Sequence, residues 1–393
     1  MHHEIKIKYL IFLLLCCWAS VCHAANDKMP IIAYWGVPQH KTNEEAFRTF
    51  AECGFNVSLY PYNSLDNLVS ACRTAQRYGI KIIGSCPEMV HNPEKAASVL
   101  KSVDGFWGYL LQDEPSFPEI KQQQLLINKI QDVDNSHLFY INILPYYGLQ
   151  DIKADSYPDY IKALTSTSCQ QISFDFYPIT TEEIRPEWYM NLEMIREESL
   201  RSGKPFWGFV LSVPHIFYPQ PTLASLRLQA YSNLAYGAQA IQYFTYWTPP
   251  PTEEYDFHDA PMSEEGKKTK TYDTVQLMNK ELKIISKLFY NAKVISVQHM
   301  GNTIPVGTTR LTTLPDNIKH LRVRGRQGAI VSQFQKDGHL YMAIVNKSHE
   351  GPLNVNIQKQ NSIPKYITRN LTEEELKASY TVSAGDILLV KIE

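Results

Sequence analysis

From about residue 31 to residue 290, short apolar or aromatic runs alternate with longer stretches of helical apolar spacing. The runs read as strands: "IIAYWGVP" from 31, "FNVSLYPY" from 55, "IKIIGSCP" from 80 and "FWGYLLQDEP" from 106. Four more follow: "LFYINILP" from 138, "QISFDFYPI" from 171, "PFWGFVLSVPH" from 205 and "AIQYFTYWTP" from 240. Between them lie segments such as "SLDNLVSACRTAQRYG" and "LASLRLQAYSNLAYG", with apolar residues at helical intervals. Gly54, Gly79, Gly203 and Gly237 stop several of these helices just before the next strand. Strands apolar throughout their interiors imply a parallel sheet covered on both faces. Eight such alternations predict a (β/α)8 TIM barrel. A doubly wound sheet competes, but it does not require eight even units, and no Gly-rich phosphate loop follows the first strand.

The pattern then changes. From about Val294 the chain turns to short alternating segments, among them "HLYMAIVNK" and "GDILLVKI", separated by Gly, Asn, Asp and Pro. This predicts a small C-terminal antiparallel β-sandwich, with no catalytic pattern of its own. The expected division is 1–25 signal peptide, 26–290 barrel and 291–393 β-domain.

The 44% hydrophobic and 20% charged composition of the 393 residues is that of a globular protein, and the net charge of −2 argues against a nucleic-acid partner. Lys6 and Lys8 precede a short apolar stretch that ends in small residues near Ala24 and Ala25, the layout of a secretory signal. The expected location is periplasmic or cell-surface, with a lipoprotein form on Cys16, Cys17 or Cys22 as the variant; no later stretch is long enough for a membrane span. Cys53, Cys72, Cys86 and Cys169 lack paired spacing and read as buried free thiols. Neither a metal nor a cofactor is expected.

In such a barrel the chemistry sits at the C-terminal ends of the strands. The residues there are Tyr34, Trp35, Tyr60, Asp113, Glu114, Asn142, Asp175, Tyr177, Ser212, His215, Gln242, Tyr246 and Trp247. An aromatic-walled, acid-floored pocket suits a sugar, whose C–H faces stack on rings while its hydroxyls need fixed polar partners. Cleaving a glycosidic bond takes two acids, one to protonate the leaving oxygen and one to attack or activate water. Glu114 is the candidate proton donor, unless it only caps the helix after it. Asp175 is the candidate second acid, or else a structural acid. His258 joins the candidate sugar contacts, and Trp247 is the preferred stacking platform. His215 and His258 have no metal-ligand spacing, and a serine hydrolase is disfavoured because no GxSxG elbow is present.

"GYLLQDEPS" resembles the fourth strand of clan A glycoside hydrolases, with Asp113 where those enzymes commonly have asparagine; the resemblance puts the acid/base role on Glu114. "NLAYGAQAIQYFTYW" resembles the eighth-strand segment of family 42 β-galactosidases. One departure stands out: such enzymes carry the nucleophile at the end of strand seven, where this chain has only Ser212 and His215. Three readings stay open: Asp175 stands in, a loop acid among Glu253, Glu254 and Asp256 swings in, or the barrel binds sugar without cleaving it. The expectation is a secreted glycosidase acting on a β-linked glycoside or oligosaccharide, with a catalytically inactive sugar-binding barrel as the alternative.

Overall fold

The computed structural model describes residues 28–393; the expected signal segment lies outside them. Eight parallel strands close into a barrel in sequence order: β1 (Ile31–Tyr34), β2 (Val57–Pro61), β3 (Lys81–Ser85), β4 (Phe106–Asp113), β5 (Leu138–Ile143), β6 (Ile172–Phe174), β7 (Phe206–Leu211) and β8 (Ala240–Phe244). Closure is made by β8 pairing with β1, Ile32 beside Gln242 and Tyr34 beside Phe244. Side chains of one strand face point outward to the helices, while the other set fills the barrel. At its base lie Val57, Ile83, Leu138 and Ala240, with Trp107 stacked on Trp207 at 5.5 Å.

Local signals place the helices. Asn43 and Ser64 cap helices Glu44–Cys53 and Leu65–Gln76 through their side chains, and Gly54, Gly203 and Gly237 end theirs in the left-handed region that a side chain would disfavour. Helix Phe117–Gln131 is capped by Ser116, whose backbone N–H donates to Glu119 at 2.7 Å. That leaves Glu114 free of the capping task.

Beyond helix Lys270–Phe289 the chain forms two antiparallel sheets. Six strands run in the order β15 (Glu373–Glu375), β14 (Lys365–Ile367), β17 (Ile387–Lys391), β12 (His339–Asn346), β11 (Ala329–Lys336) and β9 (Lys293–Met300). The other sheet joins β10 (Ile318–Arg324), β13 (Leu353–Lys359) and β16 (Ser379–Val382). Strand alternation gives the larger sheet two apolar faces. Val331, Met342, Ile344, Leu388 and Val390 pack into the sandwich, and Ile330, Phe334, Ala343, Val345 and Leu389 pack against the barrel. Helix Leu223–Tyr236 is therefore buried from Leu228 to its end, covered by barrel on one side and β-domain on the other. The four cysteines among the described residues are buried and unpaired.

Candidate active site

The floor of the barrel mouth is built from an ordered chain of hydrogen bonds. Tyr140 donates to Oε1 of Gln242 at 2.7 Å, and the Gln242 amide donates to Ser173 at 2.9 Å. Ser173 donates to Oδ1 of Asn142 at 2.9 Å, which turns the Asn142 NH2 toward the acids. That amide donates to Asp113 at 3.2 Å and to Asp175 at 3.1 Å. Because each donor consumes the next group's acceptor, the chain has one direction and ends on carboxylates.

Two irregularities bring Asp113 and Glu114 to one place. A bulge between Leu110 and Gln112 shifts the register of β4 on β5, so that Gln112 turns outward to Gln123 while Asp113 pairs with Asn142. Glu114 then takes a left-handed backbone with φ of 48°, while its N–H still donates to Asn142 at 2.8 Å. The ordinary alternation of a strand, which would send adjacent side chains to opposite faces, is broken here. Left-handed backbone at a residue other than glycine costs of order 1–3 kcal/mol. Trp35, Ile216 and Asp259, also near the barrel mouth, share it.

Asp113 and Glu114 are reached by solvent from the mouth, whereas Asp175 is only 7% exposed. Dense packing around them still strips away much of their hydration. Glu114 is pushed up to about 7, first by this desolvation and then by the charge of Asp113. Asp113 is raised by desolvation and held back by hydrogen bonds from Tyr34 and Asn142. Asp175 is held well above the usual carboxylate range by burial and by its two acidic neighbours. Hydrogen bonding with Asp175 opposes the rise of Glu114. Retaining pairs stand about 5 Å apart and inverting pairs about 6.5–9.5 Å, so the separation that Glu114 and Asp175 adopt around a sugar decides the stereochemical outcome.

The other expected contacts divide. Tyr34 lies against Phe209 at 5.8 Å, its hydroxyl raised first by burial and then by the charge of Asp113. Trp35 and Tyr60 form a partly exposed aromatic wall with ring centres 5.0 Å apart. Tyr177 is wedged between Phe209, Tyr218 and Phe244, 8% exposed. Three residues are corrected. Gln242 is fully buried in the layer beneath the acids, where no sugar reaches it. Tyr246 points outward onto Phe50 and Phe55. Trp247 is buried, its indole N–H given to the Glu264 carbonyl at 3.1 Å, so it offers no open stacking face. A strand-end position does not tell which side of the sheet a ring takes. Asn142 serves the acids and is 3% exposed.

On the β7 side, Ser212 gives its hydroxyl to the Thr245 carbonyl at 2.6 Å. His215 is buried against Tyr218 and Phe257, with Nδ1 3.1 Å from the Val213 carbonyl oxygen. His258 is exposed, with Nδ1 2.7 Å from the Asp256 carbonyl oxygen. Of the loop acids, Asp256 accepts the Ile216 N–H at 2.6 Å, and Glu253 and Glu254 face solvent. The mouth thus keeps its carboxylates on β4 and β6. Among the described residues no group of three or more His, Cys, Asp and Glu is placed to hold a metal ion. No helix there is long and apolar enough to cross a membrane. A cleft of about 430 Å³ between β9 and β10 is lined by arginines and histidines without a carboxylate, so it offers no acid pair.

The sequence reading missed Tyr147, Arg185 and Tyr218. Arg185 lies over the Tyr147 ring at 4.5 Å and donates to Tyr218 at 3.4 Å. All three lie in loops beyond β5, β6 and β7, where strand periodicity carries no signal.

Residues 142–285, from the end of β5 through β8, match the glycoside hydrolase 42 family, described as β-galactosidase. The match leaves out β4 and Glu114. No curated protein matches the sequence. The fold is similar to the β-galactosidase of Bacillus circulans sp. alkalophilus, at TM-score 0.63 and 10% identity over 93% of this chain and 99% of that one. A catalytic mutant of a family 42 β-galactosidase from G. stearothermophilus aligns at TM-score 0.62 and 9% identity, covering 94% of this chain and 98% of that one. A family 5 glycoside hydrolase from Bacteroides vulgatus aligns at TM-score 0.55 and 12% identity, over 93% and 88%. These likenesses extend through the β-domain as well as the barrel.

Proposed function

We propose that this chain, a glycosidase of clan A type resembling the family 42 β-galactosidases, hydrolyses a β-linked glycoside with Glu114 as proton donor. The observation that carries the reading is the placement of Glu114 at the barrel mouth beside Asp113 and the buried Asp175, with the Asn142 amide donating to both aspartates. Glu114, pushed up to about 7 by desolvation and then by the charge of Asp113, keeps its proton near neutrality. Glu114 protonates the leaving oxygen, and Asp175 is the second acid, which faces the sugar ring or takes a proton from water. Asp113 supports the donor through its charge.

The absence of a β7 acid favours a second reading, a barrel that binds sugar without turnover. A panel of aryl β-glycosides, β-galactosides among them, separates the two. Turnover by the wild type that collapses in Glu114→Gln supports the enzyme; sugar binding with no turnover on any substrate supports the silent barrel. We also propose export, on the strength of Lys6, Lys8 and the apolar stretch that follows. An N-terminus beginning near Ala25 in protein isolated from the native host is the expected result; a retained Met1 sinks the idea.

A further inference from the structure

Arg185 lies in the loop after β6, its guanidinium 4.5 Å from the Tyr147 ring centre and 5.6 Å from that of Phe217. Its one side-chain hydrogen bond among the described residues is the long one to Tyr218, and no carboxylate pairs with it there. The Nε hydrogen is buried without an acceptor. Stacking on aromatic rings explains how the side chain is held, but rings do not satisfy a fork of five N–H donors. Nor is Arg185 a counter-ion for the catalytic acids. Burial raises Tyr147, the charge of Asp175 adds to the rise and that of Arg185 opposes it, so the tyrosine lies within electrostatic reach of both. Tyr147 is 40% exposed and Phe217 42% exposed, leaving ring surface open beside the unused donors.

We infer that Arg185 receives an anionic substituent, a uronate carboxylate or a sulfate ester, on the sugar unit next to the scissile bond, while Tyr147 and Phe217 stack on that unit. The inference rests on the glycosidase reading for its placement, and it names the substrate class. A planar guanidinium matches either anion with two parallel N–H donors, which an ammonium cannot reproduce.

The test uses the full chain carrying Glu114→Gln, which leaves bound sugar uncleaved. Calorimetric titration compares β-linked oligosaccharides of equal length in neutral, uronate-bearing and sulfated forms. The expected result is binding of one anionic form about 10- to 100-fold tighter than the neutral one, and which form wins identifies the anion. Adding Arg185→Gln abolishes that preference while the affinity for the neutral sugar is retained, and Arg185→Lys restores only part of it. Equal affinity for all three forms overturns the inference, as does a preference that survives Arg185→Gln or the absence of binding by every form. Failure of the glycosidase reading looks different: the wild type turns over none of the oligosaccharides, yet the Arg185-dependent preference persists.

Discussion

Two places in the molecule gather carboxylates, and they treat them in opposite ways. At the seam between barrel and β-domain, Glu281 receives Arg227 Nε at 2.9 Å and Tyr231 at 2.7 Å, and Asp386 is paired with Arg369 and, at 3.6 Å, with Arg227. Burial alone would raise Glu281, but the hydrogen bonds from Arg227 and Tyr231 outweigh it and leave the group below its ordinary value. At the barrel mouth no cation among the described residues pairs with the three carboxyls, and all three are raised. Matched charges join two domains; unmatched ones keep a proton available near neutrality. The second arrangement disfavours the folded state, as expected where a site is shaped for chemistry.

The largest effect expected from this contrast is kinetic. Glu114→Gln should lower hydrolysis by about 10²–10⁴-fold, read as kcat/KM on whichever aryl β-glycoside the wild type cleaves. At the seam the corresponding change should act on stability: Glu281→Gln leaves Arg227 partly unmatched and should destabilise by about 3 kcal/mol in chemical unfolding. The sign then reverses at the mouth. Because Glu114 holds its proton up to about 7, the native state loses stability as pH rises from about 4.5, where the unfolded chain ionises, to about 7. Glu114→Gln should therefore unfold at a higher temperature than wild type at pH 8 and show little difference at pH 4. Glu281, depressed in the native state, contributes stability that is present above its unfolded value and is lost as pH falls through its folded one.

The pH profile sharpens the same point. Activity should fall on the alkaline side with an apparent pKa of about 7, the value to which Glu114 is raised. In Asp113→Asn that limb should move to lower pH, since a neighbouring charge no longer opposes ionisation; an unmoved limb would assign the proton to another group. The smallest effect belongs to an exposed pair such as Arg77 and Glu44, 66% and 61% exposed. Removing Glu44 should change stability by less than about 1 kcal/mol, which sets the floor against which the seam is judged.

The eight strands, the glycine stops and the change to a β-domain were legible in the sequence, because apolar periodicity follows directly from which faces must leave water. So was the run from Leu111 to Pro115 as an acidic strand end. The sequence did not tell which acids act on one another. Asp113 and Glu114 meet in one mouth only because a bulge and one left-handed residue undo strand alternation, and Asp175 reaches Glu114 from a strand sixty residues later in the chain. Tyr246 and Trp247 could not be told from pocket residues, because a ring at a strand end suits either face of a wall covered on both sides. Periodicity is a local consequence of burial and can be read along the chain; the coupling of acids, unmatched charge and the open face of a ring depend on distances between remote residues, and tertiary packing alone sets those.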